Sequence, residues 1–258
     1  MKIIILGSGN AGSQFVNAFH NAGHEIVQLY SRNLSHARQL AEKIGCNTQI
    51  ITSPGDVDVT KADVVVSALK DSVNADIWRQ INFAGCPVFH TAGSIPMAAL
   101  EPYAEHYGVL YPLQTLSKKR LLDFRSVPLY IEADSGKTLE ILTLLATSIS
   151  ENVRQVDSEK RKKIHLAAVF ANNFSNHMYV LAEQILRENG LPFQELLPLI
   201  DETTQKIHEM PPLQAQTGPA IRYDENVMNM HLEQLQNHPQ MVEIYKSISK
   251  SIHEKASE

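Results

Sequence analysis

The sequence predicts an α/β fold, a doubly wound and mostly parallel sheet followed by an all-helical C-terminal domain. Three observations carry that expectation. Short β-rich runs alternate with helical patterns over about the first 150 residues. A glycine-rich turn joins the first such run to the first helical pattern. After "ENVRQVDSEKRKK" almost everything reads helical. The domain boundary is placed at that change of character, giving domains 1–152 and 153–258.

The strand runs are 2–6, 25–30, 48–51, 63–67, 87–90 and 127–132. The stretch 158–189 contains neither proline nor glycine and predicts one helix of about 48 Å, at ~1.5 Å per residue. Asp157 is placed to cap its start and Gly190 to stop it. Its middle, "IHLAAVFANNF", is apolar on most sides, and burial is expected there.

Composition excludes several function classes. The 258 residues are 43% hydrophobic and 20% charged, with a formal charge of -5. No basic cluster extends beyond "KRKK" at 160–163, which argues against a general nucleic-acid binder. Cys46 and Cys86 fit neither a disulfide framework nor a zinc site, and the histidines form no metal set. The opening run "IIIL" is too short for a signal-peptide core, and nothing approaches the ~20 apolar residues of a membrane span. A cytoplasmic protein is the expectation.

Gly7, Ser8, Gly9, Asn10, Ala11 and Gly12 form G-x-G-x-x-G. The pattern follows the strand "KIIIL" and opens a helix whose apolar positions (Ala11, Phe15, Ala18, Phe19 and Ala22) share one face. That βαβ setting turns a weak pattern into the signature of a Rossmann dinucleotide site. The glycines allow a tight turn and close approach to a pyrophosphate, and the helix N-terminus supplies free N–H groups.

An NAD site places an acid at the end of the second strand, to accept from the adenosine ribose. Here that place holds Ser31, Arg32 and Asn33. A carboxylate would repel a 2′-phosphate, whereas guanidinium, hydroxyl and amide groups donate to it. NADP(H) is therefore the expected cofactor.

Other strand ends add candidates. Ser67, Ala68 and Leu69 are small enough to let a ribose and nicotinamide pass, and Thr91 and Ser94 could reach a cofactor amide or a substrate. His90 and the tyrosines 103, 107 and 111 read as packing, and Gln114 and Ser117 as weak site candidates. On the long helix, His165, Asn172 and Asn176 fall within about 40° of one another at 100° per residue. They either satisfy one another or face a substrate carbonyl, with His165 as proton donor and the asparagines orienting. In "TGPAIRYD", Gly218 shapes a turn and Arg222 could clamp a carboxylate, with a capped interhelical turn as the alternative.

The motifs "GSGNAG", "SRN", "HTAGS", "YPLQT", "HLAAVFANNF" and "TGPAIRYD" together resemble a family of Rossmann-like proteins whose helical C-terminal domain has no assigned function. That family is similar to deazaflavin-dependent NADP oxidoreductases, pyrroline-5-carboxylate reductases and the 6-phosphogluconate dehydrogenase superfamily. The resemblance implies an NADP-dependent reductase of a small molecule, assembled as a homodimer through its helical halves. Divergent ketopantoate reductases make a small 2-oxo acid the leading specific expectation. Imine reduction of the pyrroline-5-carboxylate type and a non-catalytic NADPH-sensing module are the alternatives. Related enzymes place a lysine on the long helix as proton donor; here the matching face offers His165, with Lys162 and Lys163 turned from it.

Overall fold

The computed structural model describes residues 1–257. Contacts divide the chain into two compact units, one ending at Asn173 and the other starting at Phe174.

The first unit is built on eight strands: β1 (Lys2–Leu6), β2 (Glu25–Tyr30), β3 (Gln49–Ile51), β4 (Val64–Ser67), β5 (Val88–His90), β6 (Tyr107–Pro112), β7 (Leu129–Ala133) and β8 (Val153–Gln155). Their order in the sheet is β3-β2-β1-β4-β5-β6-β7-β8. The first six run parallel, β7 pairs antiparallel with β6, and β8 runs parallel to β7. Strands covered on both faces need apolar residues at every position, and Ile3, Ile4, Ile5 and Leu6 are fully buried, as are Val64, Val65 and Val66. One face of the sheet is covered by α1 (Asn10–Asn21), α2 (Leu34–Ile44) and α4 (Gly136–Thr147), which bury Phe15, Phe19, Leu40, Leu142 and Leu145 against it. On the other face, α3 (Asn74–Trp78) buries Ile77 and Trp78. The Rossmann-like, mostly parallel sheet expected from sequence is present.

Two strands went unread in the sequence. β6 lies in the segment taken for packing tyrosines, and β8 is a short polar run at the sheet edge. Because β8 pairs with β7, the sheet continues past the change of composition at 152/153.

The long helical stretch begins where Asp157 caps it, its carboxylate accepting the Lys160 N–H at 2.8 Å. It is not uniform. α5 (Ser158–Ala168) passes into a π-helical turn, Val169–Phe174, before α6 (Ser175–Glu188). A π turn bonds i to i+5, so the 100° step used to align His165 with Asn172 and Asn176 does not hold across it. The expected burial of this region is also corrected: Leu166, Phe170 and Phe174 are 60%, 62% and 50% exposed.

The second unit contains α6, α7 (Leu197–Glu209), α8 (Pro212–Ala215), α9 (Glu225–Gln234) and α10 (Pro239–Ala256). Of its described residues only Ala220, Met241 and Ser249 are buried. Leu199, Leu213 and Ile207 keep more than half of their surface in solvent. Arg222 lies exposed in a run of turns, and Asp224 caps α9 by accepting from Val227 N–H at 3.3 Å. No described helix is long and apolar enough to cross a membrane.

Candidate active site

In an open parallel sheet, ligands sit beyond the carboxyl ends of the strands, where the strand order reverses. Here that row runs from the turn after β1 across β4 and β5 to β6, and two cavities open along it.

The first, of about 330 Å³, is lined by Gly7, Ser8, Gly9, Arg32, Asn33, Leu69 and Lys118 among others. Its shape follows from the glycines. A Cβ on Gly12 would come within 1.9 Å of the Gly7 carbonyl oxygen, so the helix meets the turn only without a side chain. A Cβ on Gly9 meets no protein atom within 4 Å. Packing within the chain therefore does not explain Gly9, and its backbone is left open on the side of the cavity.

At the end of β2, the buried Ser31 hydroxyl lies 2.6 Å from the Ser8 hydroxyl and donates to the Asn33 carbonyl at 3.0 Å. Asn33 caps α2, its side-chain oxygen accepting from His36 N–H at 3.0 Å and from the Ser35 hydroxyl at 2.8 Å. The Asn33 oxygen is thus committed to the helix, and the exposed cations lining this cavity are Arg32, Lys70 and Lys118. The hydroxyl of Ser67 is buried, facing Asn74 and accepting from the Trp78 indole at 2.9 Å. What Ser67 brings to the strand end is its carbonyl, which receives Thr91 N–H at 3.1 Å. Ser94, an expected substrate residue, gives its hydroxyl to Asp71 instead.

The second cavity, of about 460 Å³, lies at the end of β6 and along α5 and the π turn. It is lined by Tyr111, Gln114, Thr115, His165, Asn172 and Asn173, with Leu113, Ile164, Val169 and alanines between them. Tyr111 Oη and His165 Nδ1 are 3.0 Å apart with their rings edge to face. Gly93, three residues past the end of β5, lies beneath them. A Cβ there would sit 2.6 Å from His165 Nδ1 and 2.9 Å from Tyr111, so only glycine admits both rings. Burial raises the Tyr111 phenol above its ordinary value; Tyr130 adds to this and Arg161 opposes it. Tyr111 therefore holds its proton at neutral pH.

His165 is held by the residue one helical turn before it. Arg161 is fully buried, pairs with Glu132 on β7 and donates to the Ile95 carbonyl at 2.6 Å. Ser158 donates to the same carboxylate at 2.7 Å and accepts the Met97 N–H at 3.0 Å. Two separate parts of the chain, β7 and the 95–97 loop, are tied to the first turns of α5, which fixes the rotation of the helix and aims His165 at Tyr111.

The structure thus brings His165 and Asn172 into one cavity with Gln114. Asn176 and Arg222 lie in the second unit and do not line it. Lys162 is bound to Glu159 at 2.8 Å, and no lysine lines the cavity. Sequence reasoning missed Tyr111, Gly93 and Arg161. The short apolar run "GVLY" before Pro112 was the available signal for a buried strand carrying Tyr111.

The fold and its glycine turn are those of a Rossmann-type dinucleotide-binding protein, with the Tyr111–His165 cavity at the end of the same row of strands. A family model described as NADP oxidoreductase, coenzyme F420-dependent, matches residues 2–88, and a domain of unknown function, DUF2520, matches residues 127–252. A Bacteroides fragilis protein provisionally named an NADP oxidoreductase is 44% identical, with 98% of each chain covered and a TM-score of 0.91. The chain belongs to this NADP oxidoreductase family. Two more distant likenesses concern the fold alone. An imine reductase from Streptomyces aurantiacus is 12% identical, covering 100% of this chain and 95% of that one at a TM-score of 0.71. Pyrroline carboxylate reductase from Plasmodium falciparum is 13% identical, covering 98% of each chain at 0.58. No protein of curated function matches by sequence.

Proposed function

We propose that the protein is an NADPH-dependent reductase acting on the carbonyl or imine of a small molecule held in the cavity beside Tyr111 and His165. The observation that carries this reading is the 3.0 Å Tyr111–His165 contact, at the end of the same row of strands that carries the glycine turn. When bound, NADPH supplies a hydride. The Gly7–Gly12 turn would hold its pyrophosphate on backbone N–H groups, and Arg32 would receive the 2′-phosphate, the Ser31 hydroxyl being committed to the Asn33 carbonyl.

The chain's own chemistry is proton delivery. The Tyr111 O–H donates to the substrate oxygen or nitrogen as negative charge develops there. Protonated His165 passes the Nδ1 proton to the tyrosine oxygen and ends neutral. Gln114, Thr115 and Asn172 orient the polar part of the substrate. Among the residues lining the cavity only His165 can carry charge, so a substrate carboxylate would be held there by amide and hydroxyl donors. Small 2-oxo acids, ketopantoate first, are the leading candidates, with cyclic imines such as pyrroline-5-carboxylate next.

The exposed apolar side chains of the second unit support a homodimer formed through its helices, since so little buried surface does not offset the entropy of ordering them. Sedimentation over a range of concentrations tests that part. The function is tested by loss of NADPH absorbance with each candidate substrate, and NADH as control. Rapid loss with one substrate and NADPH alone is expected; tight NADPH binding without turnover of any carbonyl or imine would favour a nucleotide-sensing role.

A further inference from the structure

Gln14 lies in α1 and is fully buried. Its amide N–H groups donate to the carbonyls of Ser117 at 2.6 Å and Arg120 at 2.7 Å, and its oxygen accepts Leu122 N–H at 3.0 Å. All of these partners are on one loop, the segment after β6. The same loop is pinned a second time, by Lys118 N–H donating to the side-chain oxygen of Asn10 at 3.2 Å. Asn10 opens α1, so this tight turn, bridged between Ser117 and Arg120, sits over the glycine turn. A buried amide whose hydrogen bonds all go to one surface turn marks that turn as held in place rather than merely passing by.

What the turn presents is positive charge, in "SKKR". Lys118 lines the 330 Å³ cavity together with Arg32, Asn33 and His36. It also lines a neighbouring cavity of about 240 Å³ with Ser8, His36, Lys43 and Lys119. Ser8, His36 and Lys118 are common to both. The hydrogen bond between Ser8 and Ser31 places this shared wall at the end of β2, where a 2′-phosphate is read.

We infer that Lys118 is a second 2′-phosphate residue, reaching the cofactor from the loop after β6 opposite Arg32, and that Gln14 is the positioning residue that holds it there. This rests on the NADP reading above. Arg32 offers a planar fork and Lys118 a point charge, so the two cations approach a phosphate dianion without competing for the same geometry. Lys118 is exposed, so its substitution leaves the core intact.

The test is calorimetric titration of the full-length protein with NADPH and with NADH. The wild type is expected to bind NADPH more tightly than NADH. Lys118→Ala should weaken NADPH about 10-fold or more while leaving NADH within about twofold, and Lys118→Arg should restore most of the loss. Gln14→Leu should show the same selective loss with its lysine still present, whereas a merely structural role would lower both affinities together. In Lys118→Ala, NADPH affinity should also fall less steeply with added salt. An equal loss for both nucleotides in Lys118→Ala would move the contact to the pyrophosphate and overturn the inference, as would no loss at all. A wild type that fails to bind NADPH would overturn the NADP reading with it, so the two failures are distinguishable.

Discussion

The two cavities along the strand ends are built by different means. The nucleotide cavity takes its glycine turn from one short stretch after β1, and the rest of its lining from the ends of β2 and β4 and from Lys118. The cavity of Tyr111 and His165 is assembled from partners 54 residues apart, rotated into place by a buried ion pair and admitted by a glycine on a third segment. Local backbone chemistry suffices to hold a pyrophosphate, because N–H groups and glycines need only a turn. Proton transfer needs two side chains at hydrogen-bond distance, and that requires the whole fold. Affinity for the cofactor and rate of the reaction should therefore respond to different residues.

The largest expected effect lies at the assembled cavity. His165→Ala should lower turnover about 100- to 10,000-fold, the range a positioned acid or base contributes, while NADPH affinity stays within about twofold. Steady-state kinetics beside direct binding read both. A loss of affinity matching the loss of rate would erase the distinction between the cavities. Arg161→Leu comes next. It leaves Glu132 charged and poorly hydrated, which costs about 3–5 kcal/mol when one partner of a buried pair is removed. Urea unfolding measures that cost; a midpoint shift worth under about 1 kcal/mol would show that the clamp does not set the helix.

The same difference explains what could be read in advance. The strand–glycine turn–helix at Gly7 to Gly12 and the end of β2 at Ser31 to Asn33 were legible as structure because each is set by its neighbours in sequence. Tyr111 was not, since the tyrosines at 103, 107 and 111 read alike as packing and nothing local to Tyr111 points to His165. Arg161 hid inside "KRKK", which reads as a solvated charge run until Glu132 is placed beside it. The π turn was invisible for a related reason. Its sequence, "VFANNF", satisfies helical periodicity, and the extra residue per turn shows only in the backbone.

At the nucleotide cavity the effects should be smaller and confined to binding. Arg32→Ala removes a charge-assisted contact, and NADPH should bind about 10- to 100-fold more weakly with NADH unchanged. Competition titrations with both nucleotides resolve this. Equal weakening of NADH would mean that Arg32 serves the adenosine and not its 2′-phosphate.

The smallest effect concerns His90, at the end of β5 between the two cavities. It is fully buried, its Nδ1 accepting Ala92 N–H at 3.2 Å. Burial, and then the Arg161 charge, lower it from 6.5 to about 3. Between those values the unfolded chain binds a proton that the folded chain refuses, so stability is complete above 6.5 and declines as pH falls through that window. At pH 5 the loss amounts to roughly 2 kcal/mol, from ~1.4 kcal/mol per unit. His90→Asn keeps an acceptor near Ala92 and removes the titration, so its stability should change less between pH 7 and pH 5 than the wild type's. Parallel slopes for the two proteins would place the acid sensitivity elsewhere. A shallower slope would show that His90 is the group whose protonation weakens the fold in this window.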